Sequence, residues 1–342
     1  MKICIPFTPM PARENPNINT KSNNKSISSY YEAIIVEFFS LRKFNPGATL
    51  VLVTTDEPPF RYKTTLDNLG ILVKLIPFKH RPPEGYASQF LGCFYLFDAI
   101  LAEEIEDCLY LDPDIICLKS ILPLQEFNSN IKAIELNVTS ESFISGLSVQ
   151  DSYKICSEIF QQPLEAIPQY KFFGGEFYFI PLRNRKDCIQ LIEKLYSESL
   201  RRFSHGLSYF PTEEHLMSAA FSKLVVETAN NIISRVWTAP SYRNVNGDEM
   251  EKILLHFPAE KEWGFRKAYK KISAMKDPLR DFSDSDFLRF VEKEFQLKKR
   301  SVVRVIIRIL MRAIEPFQVN WIQSRFKPSS IFLRNNFKRG KR

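Results

Sequence analysis

The chain has 342 residues, 44% of them hydrophobic and 13% aromatic, which is enough for one large or two ordinary domains with a substantial core. Its 11 Gly and 21 Pro are too few for a fibrous or disordered protein. The six Cys include no C-x-x-C pair, which favours reduced core thiols over a zinc site or a disulfide framework. No apolar run reaches the roughly 18 residues of a membrane span, and the first apolar run is too short for a signal peptide. We therefore expect a cytoplasmic protein.

The net charge of +8 is unevenly distributed along the chain. Residues 298–342 contain 13 Lys or Arg and one acid, Glu315, and so carry +12, whereas the preceding residues carry −4. A mildly acidic body with a strongly basic tail predicts that the tail binds an anionic surface.

The first third of the chain alternates between two hydrophobic patterns. Apolar runs predict strands, and apolar spacings of three and four residues predict helices. The strands are expected at 2–7, 49–56 and 71–78, and the helices at 28–44, 60–70 and 89–104. Strands separated by helices predict βαβ units and a mostly parallel sheet.

The stretch CLYLDPDIIC, residues 108–117, continues this series as a buried strand with two acids, Asp112 and Asp114. Ionised carboxylates are costly in apolar surroundings unless a cation pairs with them or the strand ends beside them. Ligands bind such sheets at the carboxyl ends of the strands. We therefore expect both acids at that edge, together with Thr8 and Asp56, which follow the first two strands.

Later segments continue the α/β pattern as far as residue 264. Strands are predicted at 131–137, 171–182 and 252–258, and helices at 185–203 and 211–224. After 264 the sequence is helical, basic and poor in strand signals. The predicted domains are therefore 1–264 and a helical C-terminal region, 265–342.

The D-x-D pair supports two kinds of chemistry. The acids can hold a divalent ion that bridges a nucleotide diphosphate, or they can serve a phosphatase as nucleophile and general acid. The phosphatase hypothesis is weaker, because that pattern has a small hydroxyl residue where Ile116 stands. Two solvated acids on a loop are the third interpretation.

Two segments resemble the GT-A nucleotide-sugar glycosyltransferases, nearest to the family-8 group of glycogenin and bacterial lipopolysaccharide galactosyltransferases. FDAILAEEIEDCLYLDPD is similar to the family's helix and LYLDxD strand, and LLHFPAEKEW (254–263) to its late H-x-x-G-x-x-K-P-W segment. The resemblance covers residues 2–264. It implies an α/β GT-A fold, Rossmann-like, with a mostly parallel central sheet flanked by helices, to which the helical basic C-terminal extension is added.

The resemblance also implies a donor site. Asp112, Asp114 and His256 would hold Mn²⁺ or Mg²⁺, and Asp112 and Lys261 would contact the diphosphate of a nucleotide-diphosphate sugar. The expected donor is a UDP-sugar. Thr8 would lie beside the base, and Asp56 would recognise the nucleoside or only cap the next element. A buried, hydrogen-bonded core histidine is the alternative interpretation of His256.

The acceptor side departs from the family pattern. FFGGEFYF replaces the family's Asn-Ala-Gly strand, and Thr212-Glu213-Glu214 replaces its Asp-Gln-Asp. We expect Glu176, Glu213 or Glu214 to position or deprotonate the acceptor hydroxyl. A β-bulge at the two glycines and a helix start that favours acids are the structural alternatives.

The tail places Arg300, Arg304, Arg308 and Arg312 four residues apart within an apolar helix. This pattern is typical of helices that lie in a membrane interface. A docked helix is the second interpretation, and nucleic-acid binding the least favoured.

The sequence thus predicts a metal-dependent glycosyltransferase, peripheral on the cytoplasmic face of the membrane. Its acceptor would be a lipid-linked glycan, as in lipopolysaccharide biosynthesis. The alternatives are a non-catalytic membrane-bound module that binds nucleotide sugars and, less favoured, a D-x-D phosphohydrolase.

Overall fold

The computed structural model describes residues 1–11, 23–86, 90–102, 106–121, 130–162, 170–239 and 242–298, together with 302, 303 and 306. The predicted membrane-binding tail, 298–342, therefore lies almost entirely outside the described residues, and its four regularly spaced arginines are not among them. Within the part of the chain that is described, no helix is long and apolar enough to cross a membrane.

The described strands are β1 (Lys2–Phe7), β2 (Thr49–Thr54), β3 (Leu72–Leu75), β4 (Cys108–Leu111), β5 (Ile115–Cys117), β6 (Ile131–Glu135), β7 (Phe143–Ile144), β8 (Leu147–Ser148), β9 (Phe173–Ile180), β10 (Val226–Thr228), β11 (Ile233–Arg235), β12 (Thr238–Ala239), β13 (Tyr242–Arg243) and β14 (Leu254–His256). The described helices are α1 (Asn23–Phe44), α2 (Phe60–Asn68), α3 (Tyr95–Leu101), α4 (Val149–Phe160), α5 (Leu182–Ser204), α6 (Glu213–Phe221), α7 (Arg266–Ser273), α8 (Pro278–Asp281) and α9 (Asp284–Glu294).

The central sheet has the strand order β10-β6-β9-β4-β1-β2-β3. Strands β3, β2, β1 and β4 are parallel neighbours. Strand β9 runs antiparallel to both β4 and β6, and β10 is parallel to β6. The predicted α/β architecture with a mostly parallel sheet is therefore confirmed.

Helices cover both faces of this sheet. On one face α1 packs against the sheet, and its residues from Ala33 to Leu41 are all 0% exposed, the polar Glu37 and Ser40 included. Helix α7 and the turn before it pack against α1. On the other face, α3, α5 and α6 form a second core with residues such as Phe97, Ile192 and Leu216.

The C-terminal helices pack into the core on the α1 side of the sheet. Phe265, Ile272, Phe287, Val291 and Phe295 are buried together with the apolar residues of α1. This packing accounts for the helical signals after residue 264. The division of the chain at 264 into two domains stays a prediction.

CLYLDPDIIC forms two strands and not one. Strand β4 ends at Leu111, and β5 begins at Ile115 in a second sheet with the order β11-β14-β5. Pro113 lies in the turn between them; proline fixes its own φ and has no N–H to donate to a strand ladder. Asp112 and Asp114 therefore occupy the junction of the two sheets.

Gly264 gives a test of the packing beneath this junction. A Cβ on Gly264 would lie 2.9 Å from the ring of Phe295, which is itself fully buried against Phe257 and Phe265. We expect Gly264→Ala to lower the unfolding free energy by about 1–3 kcal/mol, because an overpacked core must shift its side chains. Urea unfolding measures this. Gly47→Ala is the matched control, since nothing lies within 4 Å of its added Cβ; equal stability losses in both variants would contradict the prediction.

Candidate active site

The carboxyl ends of β1, β2 and β4 meet at one edge of the central sheet, because the three strands are parallel neighbours. Thr8 follows β1, and its hydroxyl lies 3.1 Å from that of Thr55, which follows β2. Thr55 also donates a hydrogen bond of 2.8 Å to the exposed Asp56. Thr8 and Asp112 line one cleft, as the sequence predicts, whereas Asp56 lies exposed beside it.

The second sheet adds residues to the same edge. Its register aligns Ile115 with His256 and His256 with Arg235, so Asp114, His256 and Arg235 come from adjoining positions of neighbouring strands. The backbone fixes these positions: Phe257 N donates to Asp114 O at 3.0 Å, and Asp112 N donates to Glu176 O at 3.2 Å. The two acids are therefore tied to both sheets.

Asp112, Asp114 and His256 converge as three potential metal ligands. His256 Nε2 lies 3.0 Å from Asp114 Oδ1 and 3.4 Å from Asp112 Oδ2, and the three ligand atoms all lie within 4.8 Å of one another. Adjacent ligands of an octahedral ion with bonds of about 2.1 Å are about 3.0 Å apart. The spacing and the mixed oxygen and nitrogen donors thus fit a divalent cation such as Mn²⁺ or Mg²⁺.

The surroundings of His256 also fit a metal ligand. Its Nε2 faces the two aspartates, while Nδ1 lies 3.5 Å from Oε1 of the buried Glu176. Metal-ligating histidines commonly direct the second ring nitrogen to a carboxylate, which fixes the tautomer and the ring orientation.

The side chain of Lys261 is buried, which the sequence alone does not indicate. Its ammonium contacts Asp114 Oδ2 and sits 5.0 Å from the centre of the Tyr30 ring. The turn that carries it is held by the fully buried Glu260, which accepts hydrogen bonds from Gly264 N at 3.1 Å and Thr238 Oγ1 at 2.5 Å. The predicted contact of Lys261 with a diphosphate stays a prediction.

The buried charges of this cluster stabilise one another. Burial alone would raise the pKa of Asp114, but Lys261 and His256 outweigh it and hold that pKa below its ordinary value. Burial alone would likewise lower the pKa of His256, yet the carboxylates around it, Asp114 foremost, raise the pKa well above the usual range. The carboxylates thus favour the protonated imidazole, and a metal that binds His256 would have to displace that proton.

A second group of acids lies beside the metal-ligand cluster. Gly175 N donates a 2.9 Å hydrogen bond to Glu214 Oε1, and a Cβ on Gly175 would lie only 2.8 Å from Glu213 Oε1. The glycine therefore lets α6 bring its first two acids against β9. Arg235 binds Glu176 through both of its oxygens and Glu214 at 3.1 Å.

Glu213 lines the cleft together with Asp112 and Cys93. Burial, with the neighbouring Glu214 and Asp112, raises the pKa of Glu213 well above its ordinary value. Burial also raises the pKa of the Cys93 thiol. The protonated form of Glu213 is therefore favoured relative to an exposed glutamate, next to the cleft in which a substrate would lie.

The likeness of this chain to known proteins lies in its fold. No family model matches the chain, and no curated protein matches its sequence. It is similar to the crystal structure of the galactosyltransferase LgtC in complex with donor and acceptor sugar analogs, with a TM-score of 0.52 and 12% identity over 82% of this chain and 99% of that one. An active-site mutant of LgtC gives a TM-score of 0.50 and 13% identity over 81% and 96% of the two chains. The chain has a GT-A fold.

Within this GT-A fold, Arg235 is a site residue that the sequence analysis missed. No motif of the resemblance includes it, and its strand, β11, has only three residues. The available signal was a single charged residue within the apolar run IISRVW. Its partners in the site, Glu176 and Glu214, are distant in sequence, so no local spacing rule connects them.

The start of α6 is held by a contact between two side chains. Thr212 occupies the N-cap position but makes no capping hydrogen bond with its side chain. Its hydroxyl lies 2.7 Å from Nδ1 of the fully buried His215. This contact helps to hold the turn that presents Glu213 and Glu214.

His215 predicts a pH dependence of stability. Burial lowers its pKa to about 3, below the value of about 6.5 in an unfolded chain. The contribution of neutral His215 to the unfolding free energy is fully present above the pKa that this residue has in the unfolded chain. It is lost as the pH falls from there towards the pKa in the folded protein, because over that range only the unfolded chain takes up the proton. The difference in unfolding free energy between the wild type and His215→Gln should therefore shrink by about 1.4 kcal/mol per pH unit between about pH 6 and 4. Urea unfolding across that range measures it, and the other titrating groups cancel in the difference. A difference that stays constant would contradict the assignment.

Proposed function

We propose that this protein is a metal-dependent glycosyltransferase that moves a sugar from a nucleotide-diphosphate sugar to an acceptor hydroxyl. The observation that carries the proposal is the convergence of Asp112, Asp114 and His256 at the carboxyl edge of a GT-A sheet, beside a cleft that a donor can occupy. The fold is shared with LgtC, a galactosyltransferase described with donor and acceptor sugar analogs.

In this proposal the donor lies in the cleft that Thr8 and Asp112 line, with Thr8 beside the base and Asp56 near the nucleoside. Asp112, Asp114 and His256 would hold Mn²⁺ or Mg²⁺, and the bound ion would supply positive charge to offset that of the departing diphosphate. Lys261, whose pKa is raised despite burial because Asp114 faces it, supplies a permanent positive charge to the same group. A UDP-sugar is the proposed donor.

Glu213 and Glu214 are the proposed acceptor-facing acids. Glu214 is held by Gly175 N and Arg235, so its carboxylate is fixed in orientation and suited to receive a hydrogen bond from a sugar hydroxyl. Glu213, with its raised pKa, is suited to exchange a proton with that hydroxyl.

The acceptor itself is proposed from the tail. The 13 basic residues within 298–342, interspersed with apolar ones, suit attachment to an anionic membrane surface. A lipid-linked glycan at the cytoplasmic face, such as a growing lipopolysaccharide core, would then be the acceptor.

Release of nucleotide from the donor tests the proposal. UDP-, GDP- and CDP-sugars are incubated with the protein and Mn²⁺, and the products are separated by chromatography. We expect one donor to release its nucleoside diphosphate, and Asp114→Asn to abolish this release. Binding of a nucleotide sugar without release would instead identify a non-catalytic binding module. Release of inorganic phosphate would identify a phosphohydrolase.

A further inference from the structure

We propose that Glu176 and Arg235 are positioning residues that orient His256 towards a divalent cation. This inference rests on the metal site of the proposed function and assigns Glu176 a role other than the acceptor contact expected from the sequence. It is carried by the geometry of three side chains from three different strands, β9, β11 and β14.

Glu176 has no surface left for a sugar. Its side chain is 0% exposed, and its two oxygens accept hydrogen bonds from Arg235, with Nε at 2.6 Å from Oε1 and Nη2 on Oε2. The same Oε1 lies 3.5 Å from His256 Nδ1. Glu176 therefore stands between the guanidinium and the imidazole, facing the ring nitrogen opposite to the one that meets the aspartates.

Arg235 holds this carboxylate in one orientation. A guanidinium that binds a carboxylate through two parallel hydrogen bonds fixes its plane as well as its position. The pairing of β11 with β14 places Arg235 directly beside His256. The guanidinium also donates a 3.1 Å hydrogen bond to Glu214 Oε1, which the amide oxygen of a glutamine could accept as well. The three side chains thus lie in contact in the order Arg235, Glu176, His256.

Gly174 supplies the space for the pair. A Cβ at this position would collide with Glu176 Oε2 and with Arg235 Nη2. The first glycine of FFGGEF is therefore required by the ion pair, just as the second is required by the close approach of Glu213 and Glu214.

The orientation of His256 matters for the metal because an imidazole ligates through only one nitrogen at a time. A carboxylate that accepts the proton of Nδ1 leaves Nε2 free to bind a cation and keeps the ring turned towards Asp112 and Asp114. Losing such a partner typically weakens metal binding about 10- to 100-fold.

Titration of the protein with Mn²⁺ alone, followed by the electron paramagnetic resonance signal of the free ion, tests this role. We expect Glu176→Gln and Arg235→Met to weaken Mn²⁺ binding about 10- to 100-fold. Arg235→Lys keeps the positive charge but loses the two parallel N–H donors, so its Mn²⁺ affinity should lie between those of Arg235→Met and the wild type. Glu214→Gln is the matched control. It removes one negative charge next to the same guanidinium without facing His256, so its Mn²⁺ affinity should stay within about threefold of the wild type.

A second readout separates orientation from folding. Electron spin echo modulation by nitrogen reports whether an imidazole binds Mn²⁺ directly; it should be present in the wild type and in Glu214→Gln, and reduced in Glu176→Gln at saturating Mn²⁺. Mn²⁺ affinity and nitrogen modulation in Glu176→Gln equal to those of Glu214→Gln would overturn the inference. A folded wild type that binds no Mn²⁺ would refute the metal site of the proposed function, and this inference with it. Wild-type Mn²⁺ affinity in both Glu176→Gln and Arg235→Met would refute the inference alone.

Discussion

Replacing Asp114 with asparagine is expected to abolish Mn²⁺ binding and to lower the unfolding free energy by about 3 kcal/mol. Asp114 is fully buried and pairs with both His256 and Lys261, so its loss leaves two buried cationic groups without their shared carboxylate. Removing one partner of a buried ion pair lowers the unfolding free energy far more than replacing the whole pair by apolar residues, because it leaves a buried charge unpaired. Urea unfolding measures the stability, and the resonance signal of free Mn²⁺ measures the binding.

Asp112→Asn is the matched control for this prediction. The Asp112 side chain is 39% exposed and approaches His256 only at 3.4 Å, so its loss should weaken Mn²⁺ binding while changing stability by less than about 1 kcal/mol. The double variant Asp114→Asn, Lys261→Met should recover part of the lost stability but none of the Mn²⁺ binding. An Asp114→Asn protein as stable as the wild type would show that the buried pair is not formed.

Lys261→Met is expected to lower kcat for donor cleavage about 100-fold or more. Lys261 contributes a buried ammonium to the cluster formed by Asp112, Asp114 and His256. In the proposed mechanism this positive charge stabilises the leaving diphosphate. Because methionine is similar in length and apolar, the change removes the charge without opening a large cavity. The measurement is nucleotide release from the donor at saturating Mn²⁺ and at a temperature at which the variant is folded.

Lys261→Arg keeps the charge and should retain kcat to within about tenfold. Since Lys261→Met also removes a partner of Asp114, its Mn²⁺ affinity must be measured in parallel. An unchanged kcat in Lys261→Met, with Mn²⁺ bound, would contradict the role given to this lysine.

The central sheet apart from β10 could be predicted from the sequence, because its other strands lie in apolar runs long enough to show a pattern. Strand β1 has the predicted bounds, and β2 begins where expected and ends two residues earlier. The predicted helix at 89–104 is instead a short turn, Leu91–Phe94, followed by α3. Element type was therefore more predictable than element bounds, since helix and strand ends depend on contacts that the local pattern does not contain.

The second sheet could be predicted only in part. Strand β14 lies within the strand predicted at 252–258 and β5 within the stretch 108–117, but β11 has only three residues, too few for a periodicity to be seen. Their pairing is also non-local: Ile115 and His256 are brought together across more than a hundred residues. His256 was identified only through the resemblance of its segment to a family motif. Arg235 has no such motif, and its role became visible only when the register placed it beside His256.

Calorimetric titration with UDP, GDP and CDP, each with and without Mn²⁺, tests whether the metal-ligand cluster forms a donor site. We expect one nucleotide to bind the wild type only when Mn²⁺ is present, and Asp114→Asn to bind none of them. A folded wild type that binds no nucleotide, or one that binds equally well in the presence of a chelator, would contradict a metal-dependent donor site at Asp112, Asp114 and His256.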